Sequence, residues 1–405
     1  MKRKLIILFF LITILNLNAT QITLWHAWAG EEKIIMLGLI AKYEQLTGEK
    51  VKVKKIPFHA LSARYIAYTK QGKGPDVIIG PSDWIGNFLI NDLIEPIDKY
   101  IKEEEKEDFI KMVLNSCKYK DTLYGLPESY KLNALIYNKK IVPKPPVTTN
   151  EMIKIGRDIL EKDNGIYPLM YKYKSFYYHS CWIGGYGGKI IDENDNTTFN
   201  LEPTKKSIEF VKKIMTGENE ILADETDEEM IMSMFLAGKV GMMINGSWIL
   251  GDLMKSDINF GIARIPLLND TGKWASPLLG AEIVMMSSKT KNKKGAINLI
   301  KYLTSEDSQF ETVKIGHIPS RKSLYEYKEI KNKKIFKHIK KFMNQAKVAT
   351  PMPTASELGI GIWSNGSGIL HKIFSLNEKI DKVLENVQNI AEKDIEKFRK
   401  KNSEE

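Results

Sequence analysis

The fold of this chain is decided by residues 21–79, QITLWHAWAGEEKIIMLGLIAKYEQLTGEKVKVKKIPFHALSARYIAYTKQGKGPDVII. Polar and apolar residues alternate in QITLW and KVKVKKI, and DVII is a short apolar run; both patterns indicate strands, while apolar residues at three- and four-residue steps indicate helices. The elements predicted are, in order, a strand over Gln21–Trp25, a helix from Gly30 to Thr47, a strand over Lys50–Ile56, a helix over Ala60–Lys70 and a strand over Asp76–Ile79. This order is typical of an α/β domain with a mostly parallel sheet.

Ligands of such sheets bind beyond the carboxyl ends of the strands, so Trp25–Gly30 and Gly80–Trp84 are expected at the binding edge. The chain continues as strands and helices to its end. Further strands are predicted at Leu123–Pro127, Ala134–Tyr137, Val240–Ile244, Phe260–Ile265 and Ala281–Ser287, and helices at Asn150–Glu161, Leu201–Thr216, Glu228–Ala237, Gly295–Leu303 and Glu306–Val313. An amphipathic stripe from Ile380 to Phe398 predicts a last helix.

The N-terminus has the pattern of a secretory signal peptide. Met1–Lys4 is basic, residues 5–15 form an apolar run, and we expect cleavage after Ala19. The run is shorter than the roughly 20 residues of a transmembrane helix, which disfavours the alternative of an uncleaved anchor. No cysteine lies near the cleavage site to carry a lipid anchor, so a periplasmic protein is predicted.

The composition allows large cores and suggests no basic ligand-binding surface. The 405 residues are 43% hydrophobic and carry a formal charge of +10, which falls to +7 without Lys2, Arg3 and Lys4. Because the chain is predicted to be exported and its lysines are scattered along helix faces, no nucleic-acid partner is expected. Two cysteines exclude a disulfide scaffold; Cys117 and Cys181 fall in different predicted domains, and we expect free, buried thiols.

Signals for catalysis or metal binding are weak. The six histidines are isolated, and no nucleotide-binding loop, nucleophile elbow or zinc motif occurs. Asp192–Asn196 begins like a calcium loop but lacks its glycine and its last glutamate, so a hairpin turn is predicted instead. His179 beside Cys181 lacks an identifiable third group, and no carboxylate pair stands out. We therefore predict no catalytic residue, no metal and no cofactor.

Four stretches in a fixed order carry a family resemblance. They are ITLWHAW (Ile22–Trp28), GKGPDVIIGPSDWIGNFLINDLIEPID (Gly72–Asp98), LYGLPESYKLNALIYNKKIVPKPP (Leu123–Pro146), and FLAGKVGMMINGSWIL (Phe235–Leu250) followed by NFGIARIPL (Asn259–Leu267). The chain resembles bacterial extracellular solute-binding proteins of ABC sugar importers, of the maltose/maltodextrin-binding type. The resemblance spans nearly the whole mature chain and is weakest after about Ser320.

The resemblance implies a two-lobed periplasmic-binding-protein fold, with a hinge and a ligand cleft between the lobes. After the signal peptide at 1–19, the lobes are expected at 20–128 with 284–325 and at 129–283 with 326–405. It also implies a monomer that captures a small carbohydrate, closes on it by hinge motion and delivers it to the transmembrane permease subunits without any reaction.

The resemblance also implies site residues. Tyr177, Trp248 and Trp363 fall where similar proteins place rings that stack on sugars, and Asp83 matches a ligand-contacting aspartate. Trp84, Trp28 and His26 are candidates only by their location at the predicted binding edge, with core packing as the alternative.

One departure from the family pattern concerns the charge of the cleft. Lys131 stands where relatives carry a carboxylate, and other acidic positions are matched by Ala29, Ser62, Ala63 and Ser175. A lysine only donates hydrogen bonds. The alternatives to a maltodextrin are therefore an anionic solute, such as a uronate, a sugar phosphate or a glycerophosphodiester, and an exported glycan-processing enzyme.

Overall fold

The computed structural model describes residues 21–162, 165–224, 227–331 and 333–403. The predicted signal peptide and its cleavage site lie outside the described residues. Numbered in chain order, the strands are β1 (Ile22–His26), β2 (Val51–Lys55), β3 (Val77–Pro81), β4 (Lys118–Tyr119), β5 (Thr122–Leu123), β6 (Gly125–Lys131), β7 (Asn133–Asn138), β8 (Tyr167–Met170), β9 (Val240–Gly246), β10 (Phe260–Ala263), β11 (Leu278–Met286), β12 (Ile318–Pro319) and β13 (Thr350–Pro351).

Helices alternate with these strands along the chain. They are α1 (Gly30–Thr47), α2 (Phe58–Lys70), α3 (Trp84–Leu89), α4 (Glu103–Glu107), α5 (Lys111–Asn115), α6 (Thr149–Leu160), α7 (Phe176–Gly185), α8 (Glu202–Met215), α9 (Glu228–Leu236), α10 (Leu250–Lys255), α11 (Lys293–Leu303), α12 (Glu306–Val313), α13 (Lys328–Lys331), α14 (Lys334–Ala346), α15 (Ser364–Phe374) and α16 (Ile380–Ser403). Short 3₁₀ turns lie at Asp98–Tyr100, Gly217–Asn219, Ser247–Ile249 and Ser323–Tyr325, and a π-helical turn at Leu358–Trp363. Among the described residues, no helix combines the length and the apolar character that crossing a membrane requires.

A first sheet holds the strand pattern that opens the sequence. Its order is β12-β6-β11-β3-β1-β2, with β13 added beside β11. β1 pairs in parallel with β2 and β3, and these strands with α1 and α2 confirm the predicted alternation. β11 enters between β3 and β6 and is antiparallel to both. The central position of the sheet is thus filled by a strand from late in the chain.

A second, smaller sheet has the order β10-β7-β9-β8. β7 is antiparallel to both β10 and β9, and β8 is parallel to β9. The two sheets and their helices form the mixed α/β, two-lobed arrangement predicted from the sequence. The core of the second lobe packs on one face of this sheet around Leu135, Tyr137, Met242 and Ile244.

The chain crosses between the two sheets several times. β6 ends at Lys131 and β7 begins at Asn133, so the first crossing takes a single residue, Leu132. Both predicted lobe boundaries near the hinge fall inside strands, at 128/129 within β6 and at 283/284 within β11. The structure gives the strands that connect the lobes, and the exact lobe limits stay a prediction.

Two smaller predictions are confirmed. Cys117 and Cys181 are free and buried, in two different hydrophobic cores, and burial raises the pKa of both thiols. The Asp192–Asn196 stretch is a hairpin turn closed by the bridge between Ile191 and Thr197. The Asp192 carboxylate accepts the backbone N–H groups of Asn194 and Asn196, both at 2.8 Å, and so stabilises the turn.

Candidate functional site

Four predicted site residues from separate parts of the chain converge. Tyr177 is the second residue of α7, and the centroid of its ring lies 6.3 Å from the centroid of the Trp248 ring. Burial raises the pKa of Tyr177, and the nearby carboxylates of Asp83 and Glu228 raise it further. Burial also raises the pKa of Asp83 to about 6, while the indole of Trp363 acts against that shift. Asp83 follows β3 of the first sheet, so residues of both lobes meet here.

Trp248 is held against the second sheet by a glycine. β9 ends at Gly246, and Trp248 lies in the 3₁₀ turn that follows. A Cβ on Gly246 would lie 2.0 Å from the six-membered part of the indole, so only glycine allows the ring to lie this close to the strand. Tyr178 meets the same ring edge-on, with centroids 6.3 Å apart. We call Tyr177, Tyr178, Trp248 and Trp363 the aromatic group.

Glu228 belongs to this site and was missed from the sequence. It is the first residue of α9, whose start is fixed because Asp227 Oδ1 accepts the Met230 N–H at 2.7 Å. Glu228 Oε1 accepts both Trp248 Nε1–H and the Tyr178 hydroxyl, each at 2.9 Å. An acidic residue in the first turn of a helix is common, so no sequence signal separates this one from its neighbours.

Trp363 ends the π-helical turn and packs against the core formed by α15, α16 and α7. Asn365 Nδ2 donates to the carbonyls of Ile360 and Gly361, at 3.0 and 3.1 Å, and satisfies backbone groups that the wide turn leaves open. The Trp363 indole lies beside the Asp83 carboxylate and lowers the pKa of that group, which links the π-helical turn to the end of β3.

A charge cluster lies beside the aromatic group, where the crossing strands β6 and β11 pass α1. It consists of Glu32, Glu128, Lys131, Glu282 and His317. His317 bonds Glu128 through Nδ1 and Glu32 through Nε2, both at 2.9 Å, and Lys131 Nζ lies 3.0 Å from Glu282. With both bases protonated and the three acids ionised, the cluster carries more negative than positive charge.

The cluster is held in its ionised state by mutual attraction. Burial alone would lower the pKa of His317, but the carboxylates of Glu128 and Glu32 raise it to about 10. Burial alone would raise the pKa of Glu32, but its bond with His317 and the charge of Lys131 lower it to about 2. The pKa of Lys131 is raised for the same reason, by Glu282 and Glu32 against the effect of burial. Lys131 is therefore a compensated cation and not a free positive site.

Trp28 contacts the charge cluster, and His26 contacts Trp28. Trp28 is 2% exposed, donates Nε1–H to Glu282 Oε1 at 3.2 Å and meets the His317 ring edge-on. His26 is also buried, accepts the Trp28 backbone N–H through Nδ1 at 3.1 Å, and burial lowers its pKa to about 4. Their burial favours the core-packing alternative for both residues.

Trp84 is the first residue of α3, on the first lobe, and directly follows Asp83. A Cβ on Gly80 would lie 2.5 Å from its ring, so the indole lies close over the end of β3 as Trp248 does over β9. Trp84 stacks on Phe58, with centroids 5.6 Å apart and planes at 27°, and Phe58 is 61% exposed. The predicted residue thus offers a half-exposed indole at the carboxyl end of the first sheet.

Comparison with known proteins identifies the family. The model of the family described as bacterial extracellular solute-binding protein matches residues 38–338. A maltotriose-binding protein of Pyrococcus abyssi is 28% identical over 357 residues, which cover 87% of this chain and 77% of that protein. A galactooligosaccharide-binding protein of Bacillus subtilis is 24% identical over 353 residues, which cover 82% of this chain and 80% of that protein.

A solved structure gives the same result at the level of the fold. The maltose/maltodextrin-binding domain of Bdellovibrio bacteriovorus, bound to maltotriose, superimposes on this chain with a TM-score of 0.83 at 25% identity. The superposition covers 93% of this chain and 100% of that chain. These similarities confirm the resemblance found in the four sequence stretches. The chain belongs to the family of bacterial extracellular solute-binding proteins.

Proposed function

We propose that this protein binds a maltodextrin-type oligosaccharide between its lobes and delivers it to an ABC permease. One observation carries the proposal: Tyr177, Trp248 and Trp363 converge with two carboxylates, Asp83 and Glu228. Flat rings cover the C–H faces of a pyranose, and carboxylates accept its hydroxyls. The names of the relatives, which bind maltotriose and galactooligosaccharides, support an oligosaccharide ligand.

The charge cluster argues against an anionic ligand. A uronate or phosphate ester would need a surplus of positive charge, but Lys131 is paired with Glu282 at 3.0 Å and also lies near Glu32 and Glu128. Taking Lys131 from Glu282 would leave that carboxylate, 6% exposed, without its partner. We propose that Lys131 contributes a donor to a neutral sugar and that its charge serves the cluster.

The remaining parts of the proposal concern the setting of the protein. We propose export to the periplasm with cleavage after Ala19 and no lipid anchor, a monomer, and no catalytic step. The lobes are proposed at 20–128 with 284–325 and at 129–283 with 326–405, with β6 and β11 among the crossing segments. Mass spectrometry of the mature protein and its elution volume on size exclusion test the first two points.

Calorimetric titration tests the ligand. Maltotriose, maltose, a galactooligosaccharide, glucuronate and a glycerophosphodiester are titrated into the mature protein. We expect maltotriose to bind with micromolar or tighter affinity, to raise the melting temperature and to be recovered unchanged. Binding of the anionic solutes alone, or conversion of the glycan to products, would overturn the proposal.

A further inference from the structure

β7 begins and ends with an asparagine, and the two differ in their bonding. Asn133 is 1% exposed and Asn138 is 3% exposed, so both amides are out of contact with solvent. Asn138 Oδ1 accepts the backbone N–H of Lys140 at 3.0 Å. Neither Oδ1 nor Nδ2 of Asn133 has a hydrogen-bond partner within the part of the chain that the structure describes.

The strand register places Asn133 next to Trp248. Asn133 lies directly opposite Gly246 in the antiparallel pairing of β7 with β9. Opposed residues of such a pair point to the same face, with Cβ atoms about 4.5–5.5 Å apart. The Trp248 ring occupies the space where a Gly246 Cβ would be. The register therefore places the Asn133 side chain on the same face of the sheet as the Trp248 indole, at the end of the β7–β9 pair.

An unpartnered buried amide is costly in the folded protein. It gives up its hydrogen bonds to water and gains none in return, whereas an apolar residue of the same shape would avoid this loss. Asn133 also stands one residue from the crossing between the lobes, within two positions of Lys131. The position combines an open donor, an open acceptor and an aromatic ring, which is the set that a pyranose requires.

We infer that Asn133 is a further sugar-binding residue, whose amide forms hydrogen bonds with hydroxyls of the pyranose that stacks on Trp248. This inference rests on the proposed function and assigns a residue to it that sequence patterns did not indicate. The amide provides two N–H donors and one carbonyl acceptor, so it can bond two adjacent hydroxyls of one ring. The Asn133 amide then increases the affinity for sugar and lowers the stability of the sugar-free protein.

That opposition gives the test. Asn133→Leu and Asn133→Ala are compared with the wild type by calorimetric titration with maltotriose and by melting without sugar. We expect both variants to bind about tenfold more weakly, since they lose hydrogen bonds to the sugar. The sugar-free melting temperature of Asn133→Leu is expected to stay equal or to rise by about 2 °C, because the unpaired amide is gone.

Asn138→Leu is the matched control, because it is the same substitution at the other end of β7. It removes an amide that has a partner, so it should lower the melting temperature and leave the affinity unchanged. Asn133 variants that bind maltotriose as tightly as the wild type, or that lose affinity only together with melting temperature, would overturn the inference. A wild-type protein that binds none of the oligosaccharides would instead overturn the proposed function.

Discussion

The charge cluster and the aromatic group lie side by side, and the Asn133 amide next to the aromatic group differs from the charge cluster in its hydrogen bonding. In the charge cluster, His317 has an acidic partner on each ring nitrogen, and Lys131 is paired with Glu282. Beside the aromatic group, the Asn133 amide has no hydrogen-bond partner among the described residues. A satisfied network stabilises a fold, and an unsatisfied one is ready for a ligand. The difference separates side chains that stabilise the fold from the one that we propose for binding.

The largest effect is a loss of folding stability, expected when the hydrogen-bonded charge cluster is broken. His317→Leu removes the hydrogen-bonded partner of the buried Glu128 and of the partly buried Glu32, which should lower the free energy of unfolding by about 3–5 kcal/mol. Chemical denaturation measures this. The exposed His371 gives the control, since His371→Leu should change stability by less than about 0.5 kcal/mol.

A combined variant checks the cause of that loss. His317→Leu together with Glu32→Gln and Glu128→Gln removes the unpaired charges, so much of the stability should return. If His317→Leu alone unfolds at the same denaturant concentration as the wild type, the cluster does not have the role assigned to it.

The second effect is a loss of stability at alkaline pH. The pKa of His317 is about 10 in the folded protein, above its ordinary value of 6.5, so its stabilising contribution is complete below pH 6.5 and disappears as the pH rises through 10. We expect a loss of at most about 4 kcal/mol between pH 7 and pH 10. Melting curves across this range measure it, and a His317→Leu variant with the same slope as the wild type would contradict it.

The third effect concerns affinity. Trp248→Ala removes the ring over Gly246 and should weaken maltotriose binding by about 30-fold or more, as expected for a central aromatic contact. Trp274→Ala is the control, because this ring packs under the Arg264 guanidinium at 4.9 Å, outside the aromatic group. Calorimetry that finds both variants equal to the wild type would remove Trp248 from the site.

The smallest effect comes from Asp83, which joins the two groups. Burial raises its pKa to about 6, and the charge of Glu282 in the cluster adds to this. Because the carboxylate is the better acceptor for sugar hydroxyls, affinity should fall about fivefold from pH 7 to pH 5. Asp83→Asn should remove this pH dependence. An affinity profile that is equally steep in both proteins would assign the titration to another group.

Local patterns predicted much of the fold. The alternation within residues 21–79 appears as β1, α1, β2, α2 and β3, with bounds that differ by one or two residues. Those predictions succeed because periodicity of apolar residues is a local property. The central place of β11 in the first sheet depends on pairing across the whole chain, and no window of sequence contains that information.

The site shows the same limit more sharply. The family resemblance gave Asp83, Tyr177, Trp248 and Trp363 as candidate site residues, but it could not show that Lys131 meets an acid 151 positions later. Glu228 and Asn133 carry no local signal, because their roles depend on Trp248 lying over Gly246. Sequence therefore indicated the rings of the site, while the partners of its polar atoms required the structure.

The late insertion of β11 has a consequence for the order in which the chain folds. β3 pairs with β11 in a register that joins Val77 to Met286, about 200 residues apart. Closing so long a loop is slow, so a sheet that depends on it forms late. Until β11 arrives, one edge of β3 has no partner, and the first lobe cannot complete its core. With such a topology, the first lobe stays incompletely folded until the second half of the chain has been synthesised.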